Sequence, residues 1–373
     1  MIVALPIARA VKRRNPSCRI GIITSDRNST LLRCDSDIDE QYVFQDRRDL
    51  KHYPSIWRAR KAKYDVVINM HFHRMSEYGL LANFLSPKGL KVTGRHARKD
   101  LYQILFNSIS RYESHSMHLS QLGLEILEDA VDMEHPVLQA ESRPTLQVCP
   151  DTRRKVQQQI ETLLDEVGAT WFIYFNTQAS RSFREWGVEN TAAFSRLFAT
   201  RYPDGAIFFT ASPVRQNEVK REIESHVFQR ARFFETSYDL LEIAALAEAS
   251  RLVITPDTSV IHFGCAMGRP TLVLWPDKGN LPLEWLPLQV PSRNLVPNIQ
   301  GMPVSSIPVE EVWRATIDLL EGTKMTQSSF HPEKVPLDLY QASVSNEPLH
   351  KLLSRTLALE PDGSLHLPAE YVK

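Results

Sequence analysis

The segment that most constrains how this chain can fold reads Val253-Ile254-Thr255-Pro256-Asp257-Thr258-Ser259-Val260-Ile261-His262-Phe263-Gly264-Cys265-Ala266-Met267-Gly268-Arg269-Pro270. A short β-branched run ends in Asp-Thr-Ser, a helix-start signal. Gly268-Arg269-Pro270 then stops the helix before a second apolar run, residues 271–275. Strand, helix and strand in that order make a parallel crossover unit, which commits the chain to α/β architecture. The first-turn N–H groups, from Thr258 to Ile261, lack helical acceptors and lie at the positive end of the helix dipole, so they form a seat for an anion such as a diphosphate. Asp257 is placed to cap this helix, and His262 lies near its mouth. An ordinary Asp-capped crossover helix with a half-buried His fits the spacing equally well.

The same alternation extends through most of the chain. Strands are expected at 19–24, 41–44, 65–70 and 90–93, and again at 171–175, 206–210, 232–234, 252–255 and 271–275. Helices are expected between them, including 191–202, 216–227 and 240–249. This gives two Rossmann-like halves. The polar, Pro-broken stretch 134–151 reads as the linker between them, and 309–320 reads as an amphipathic helix packing back across both. We therefore expect domains at 1–140 and 151–322, followed by an atypical tail, 323–373, with one short helix at 349–357.

Charge narrows the partners. Lys+Arg and Asp+Glu number 44 each, so net charge gives no reason to expect nucleic acid. Basic runs at 12–14, 58–63 and 88–99 read first as solvated helix faces. If they share a face, they suit anionic lipid or a phosphorylated acceptor. The four cysteines, Cys18, Cys34, Cys149 and Cys265, have neither metal nor redox spacing, which reads as free thiols in a reducing cytoplasm. No apolar span is long enough to cross a bilayer, so any membrane association is expected to be peripheral.

The string Asp257-Thr258-Ser259-x-x-His262-x-x-x-Ala266-x-Gly268-x-Pro270 resembles the donor-site signature of glycosyltransferase family 9, the family of the bacterial lipopolysaccharide heptosyltransferases. Phe175-Asn176-Thr177-Gln178-Ala179 followed by Phe183-Arg184-Glu185-Trp186-Gly187-Val188-Glu189 resembles its strand-end loop, where Lys-x-Trp-Pro-x-Glu leads into a helix. Here Arg184 stands for the usual Lys and Gly187 for the usual Pro. Arg keeps the charge but offers a planar fork rather than a point charge. The resemblance covers the chain from Met1 to about Leu320 and implies the GT-B fold, two Rossmann-like domains facing a cleft.

That resemblance implies a nucleotide-sugar donor, ADP-heptose, and a lipopolysaccharide core or related surface-glycan acceptor, met on the inner face of the inner membrane. Arg184 would neutralise the leaving nucleoside diphosphate. Thr177, Gln178, Ser180, Glu218, Asp257, Thr258, Ser259, His262 and Trp285 would bind donor; His71, His73, Arg74 and Ser76 would face acceptor. Glu218 reads equally as an exposed helix carboxylate, Thr177, Gln178 and Ser180 as turn chemistry, Trp285 as an anchor of a Pro-rich loop, and the two His as unrelated surface residues. No cofactor or metal is expected. The Asp-x-Asp spacing in Asp35-Ser36-Asp37-Ile38-Asp39 reads as solvent-facing carboxylates.

Inverting transfer also needs a base at the acceptor hydroxyl. In the family it is an Asp of a Gly-Asp pair that ends the first strand, directly before the segment matching residues 1–6. The resemblance thus implies an N-terminal domain lacking its first strand and a natural start upstream of Met1. The competing expectation is a catalytically impaired relative that binds nucleotide or glycan.

Overall fold

A computed structural model describes residues 1–326 apart from 45–49, 73–74, 96–101, 114–116, 131–138, 226–227, 229, 238 and 277–280. Residues Met1–Met325 form one compact unit. The short helix expected at 349–357 lies outside the described residues.

The first half contains strands β1 (Gly21–Thr24), β2 (Glu40–Val43), β3 (Val66–Asn69), β4 (Leu90–Arg95) and β5 (Ser108–Glu113). Its helices are α1 (Leu5–Arg14), α2 (Asp26–Ser29), α3 (Tyr53–Lys61), α4 (Met75–Leu85) and α5 (Leu119–Ala130). All its strand pairings are parallel, but among the described residues they fall into two sheets, β1-β2 and β3-β4-β5. β1 and β3, neighbours on either side of a first central strand in a doubly wound sheet, are not paired with each other.

The second half comprises α6 (Pro150–Val167), β6 (Trp171–Asn176), α7 (Val188–Arg201), β7 (Gly205–Thr210), α8 (Gln216–Ser225) and β8 (Ala231–Phe233). It continues through α9 (Leu240–Ala249), β9 (Val253–Pro256), α10 (Val260–Ala266), β10 (Thr271–Leu274), β11 (Ser292–Leu295) and α11 (Val309–Thr326). The strands form one parallel sheet in the order β11-β10-β9-β6-β7-β8. Every residue of β6 and β7 is buried because helices cover both faces. Strand alternation sends Ile173, Phe175, Ile207 and Phe209 to one core and Phe172, Tyr174, Ala206 and Phe208 to the other. The second core also takes Ile2, Leu5, Leu31 and Leu32 from the first half of the chain.

Three expectations are corrected here. The 134–151 linker ends early, since Pro150 already opens α6; Pro suits that position because a first-turn N–H has no helical acceptor. The helix expected at 309–320, α11, runs on to Thr326. Cys34 and Cys149, read as free thiols, are joined in a disulfide.

The carboxylates of residues 35–39 do not face solvent together. Asp35 is buried under a bidentate contact from Arg9, Asp37 takes the same guanidinium at 2.7 Å, and Asp39 accepts from Lys12 at 3.0 Å and from the Ile20 N–H at 2.7 Å. Arg13 and Arg14 pair with Glu141. The 12–14 run is therefore largely neutralised within the fold rather than offered to a partner.

Candidate functional site

The chain order in the second sheet reverses at β6. β6, β7 and β8 step outward one way, and β9, β10 and β11 return on the other side of β6. In such sheets the crevice beyond the carboxyl ends of the strands at the reversal is where ligands bind. Asn176, the last residue of β6, fills that point. Its buried Nδ2 lies 3.1 Å from Thr255 Oγ1, 3.2 Å from Thr258 Oγ1 and 3.0 Å from the Gln178 carbonyl, so one amide ties the β6 loop to the start of α10. Replacing Asn176 with Ala strips these acceptors of their donor, and we expect about 2 kcal/mol lower stability in urea unfolding; an unchanged midpoint would contradict that role.

Arg184 reaches the site from a single 3-10 turn, Ser182–Arg184, and pairs with Asp257 at 3.1 Å. Trp186, two residues on, is 1% exposed, and its Nε1–H donates to the Ile307 carbonyl at 2.9 Å, which anchors the loop in the core. Gly187 has φ +90°, where the pyrrolidine ring of the family's usual Pro cannot go, so this chain enters α7 by a different backbone path.

At the start of α10 the Val260 N–H donates to Thr258 Oγ1, so the capping role read for Asp257 falls to its neighbour. The helix begins at Val260 with Ser259 as its N-cap. The Ile261 N–H already bonds the Thr258 carbonyl and the His262 N–H that of Ser259. The expected anion seat of first-turn amides is thus partly occupied within the turn, and the cation of Arg184 becomes the main attraction for an anion.

Gln178 is buried on the loop after β6. Its Oε1 accepts from the Ser212 N–H at 3.2 Å, while its Nε2 has no hydrogen-bond partner among the described residues. A buried amide donor left unsatisfied costs stability. Thr177 is partly exposed and Ser180 exposed on the same loop. Glu218 sits on the exposed side of α8 in a bidentate pair with Arg215, which lowers its pKa. Arg215 also binds Glu185, whose carboxylate accepts from the Ala179 N–H, so this network braces the loop from outside.

His262 packs against Trp285 with ring centroids 5.5 Å apart and against His118 at 6.4 Å. Burial holds both imidazoles neutral, lowering His118 to about 4 and His262 to about 3. On the other half, His71 is exposed and stacks on Tyr78 at 4.5 Å, and Ser76 is exposed on α4. His73 and Arg74 lie outside the described residues, as do Asp277 and Lys278 of the loop after β10. Asn176, Glu185 and Arg215 were not singled out from sequence, although a polar residue closing the apolar run 171–175 marks Asn176. His118 carries no comparable signal.

A cavity of about 560 Å³ lined by Arg19, Glu40, Arg58 and Lys61 lies instead at the amino ends of β1 and β2, the wrong end for a crevice of this kind. No group of residues with metal-ligand chemistry occurs among the described residues.

Known structures share this fold. A glycosyltransferase family 9 protein from Veillonella parvula has a TM-score of 0.69 at 19% identity, over 86% of this chain and 93% of that one. The E. coli ADP-heptose lipopolysaccharide heptosyltransferase II has a TM-score of 0.66 at 15% identity, over 87% and 96%. E. coli heptosyltransferase WaaC with ADP has a TM-score of 0.65 at 15% identity, over 85% and 95%. A search of curated proteins finds no match. The family model for glycosyltransferase family 9 (heptosyltransferase) matches residues 54–301, well over half of the chain, and the protein belongs to that family of sugar transferases.

Proposed function

We propose that this protein is an inverting glycosyltransferase that moves heptose from ADP-heptose onto a lipopolysaccharide core or related surface-glycan acceptor. Residues 1–140 form the acceptor side and 151–322 the donor side. The observation that carries this reading is the cation of Arg184, paired with Asp257 beside the start of α10 at the switch point of the second sheet. An ADP-sugar brings a diphosphate for that cation. Thr177, Ser180, Thr258, Ser259 and His262 line the approach, Trp285 covers it, and Glu218 acts through Arg215 at the rim.

Asp257 engages Arg184 through Nη1, which leaves other N–H groups of its fork for a phosphate. As the glycosidic bond breaks, the guanidinium meets charge growing on the leaving diphosphate, the task a divalent cation performs elsewhere. Chelation with EDTA should therefore leave ADP binding unchanged. The first turn of the chain, Ile2–Ala4, packs against α10. His71, His73, Arg74 and Ser76, on the loop after β3, are the proposed acceptor contacts.

The heptose donor and ADP come from a relative of the same fold, E. coli heptosyltransferase WaaC, one structure of which holds ADP and another ADP-2-deoxy-2-fluoro heptose. A peripheral place at an anionic membrane draws support from α3, where Tyr53 and Trp57, 43% and 51% exposed, share an outward stripe with Lys61. No described helix is long and apolar enough to cross a membrane. Since two cysteines are bonded, cysteine usage no longer argues for a reducing compartment; a cytoplasmic site rests on the donor class.

Replacing Arg184 with Ala removes a charge-assisted phosphate contact and should weaken ADP binding about 100-fold by isothermal titration, while the unliganded protein unfolds near the wild-type temperature because the side chain is partly exposed. Unchanged ADP affinity would overturn the donor site. Nucleotide binding without sugar transfer would favour a catalytically impaired relative.

A further inference from the structure

The loop after β3 is gripped at its first residue. Asn69 closes β3 and is 7% exposed. Thr93 of β4 stands opposite it in the ladder, and the two are joined twice: Asn69 Nδ2 donates to Thr93 Oγ1 at 3.2 Å, and that hydroxyl donates to the Asn69 carbonyl at 3.4 Å. The same amide turns back on its own loop. Its Oδ1 accepts from the His71 N–H at 3.1 Å and its Nδ2 donates to the His71 carbonyl at 3.4 Å, so one side chain sets both backbone groups of His71.

The neighbours of His71 complete the grip. Met70 lies against Gly123 of α5, where a Cβ would come 3.0 Å from its Cε, and Phe72 lies over Gly94 of β4, where a Cβ would come 2.9 Å from its ring. Both join the core of the first half. With these two turned inward, His71 is exposed, and its ring stacks on Tyr78 of α4 with centroids 4.5 Å apart and planes 23° apart. The arrangement recurs in the second half. Asn176 closes β6, donates to Thr255 Oγ1 on the paired strand β9, and makes the same two contacts with the backbone of Gln178, two residues on. One device thus stands at the carboxyl edge of a sheet in each half, immediately before a loop proposed to meet ligand.

We propose that Asn69 is a positioning residue for the acceptor: by holding both backbone groups of His71 it keeps that imidazole stacked on Tyr78, so that an anionic oxygen of the acceptor meets a ring of fixed orientation. The consequence for acceptor binding rests on the acceptor reading above; the orientation of His71 does not. Asn69 itself is buried and acts through His71, not on substrate.

Two shape-conserving variants separate the grip on the loop from the bond between strands. Thr93→Val removes Oγ1 but leaves Asn69 Oδ1 to accept from the His71 N–H, whereas Asn69→Leu removes both contacts. In spectra of the full chain with carbon-13-labelled histidine and no ligand, assigned with His71→Gln, the His71 ring protons should resonate upfield because they lie over Tyr78. They should keep that position in Thr93→Val and move to that of an unstacked imidazole in Asn69→Leu. The double variant, which strands no polar partner, should behave as Asn69→Leu alone and keeps the test open if the single variant folds poorly. Affinity for a truncated lipopolysaccharide lacking heptose should follow the same order, weakened about tenfold in Asn69→Leu and within about twofold of wild type in Thr93→Val. His71 signals unmoved in Asn69→Leu and the double variant, or moved equally in Thr93→Val, would overturn the proposal. Wild-type protein that binds no lipopolysaccharide, with the His71 shifts still as expected, would instead overturn the acceptor reading and leave the positioning established.

Discussion

Reducing the Cys34–Cys149 disulfide is expected to lower the free energy of unfolding by about 4 kcal/mol. The bond spans 115 residues of sequence, and a cross-link over so long a loop removes much of the freedom of the unfolded chain. It also fixes a crowded junction. Cys34 follows Leu31 and Leu32, which are buried in a core of the second half, and Arg33, which donates to Thr152 and Asp239. Cys149 is the N-cap of α6. Guanidinium unfolding with and without a phosphine reductant measures the effect, and the Cys34→Ser, Cys149→Ser double variant should match the reduced protein. A midpoint unmoved by reductant would show that these cysteines are not bonded in solution.

Mild acid should destabilise the protein by a similar amount through His118 and His262. Both imidazoles have folded pKa values below their ordinary 6.5, at about 4 and about 3, chiefly because burial disfavours the charged form. Their charges also oppose one another. Above pH 6.5 neither group binds a proton in either state, so neither contributes to the pH dependence. As pH falls, the unfolded chain takes up protons that the folded chain refuses, and stability declines until the folded values are reached. Between pH 7 and 5 this amounts to about 2 kcal/mol for His118, with His262 adding about as much. Urea unfolding across that range, with the double variant His118→Phe, His262→Phe as reference, isolates the two groups. Equal pH slopes in variant and wild type would contradict it.

The second sheet was legible because its strands are covered on both faces. Continuous apolar runs such as Phe172 to Phe175 and Ile207 to Phe209 mark buried parallel strands without further help. β5 and β11 escaped because Ser108–Glu113 and Ser292–Leu295 carry arginines and serines along sheet edges, where one flank has no partner strand. Arg184 and Asp257, both named from the motifs, form an ion pair. What failed depends on distant partners. Nothing local to Asp35 announces the Arg9 guanidinium that buries it, and nothing beside Cys34 announces Cys149. Capping was misassigned between adjacent candidates, Asp257 and Thr258, since either side chain suits a helix start and the nearby Arg184, set by another loop, engages the carboxylate.

The central claim is that the switch-point crevice takes an ADP-sugar. Isothermal titration of the full chain with ADP, UDP, GDP and CMP, in the presence of EDTA and with Arg184→Ala alongside, addresses it most directly. The account predicts binding of ADP, weaker or no binding of the other three, and loss of most of the ADP affinity in the variant. Equal binding of all four nucleotides, or ADP binding that survives the loss of Arg184, would contradict it.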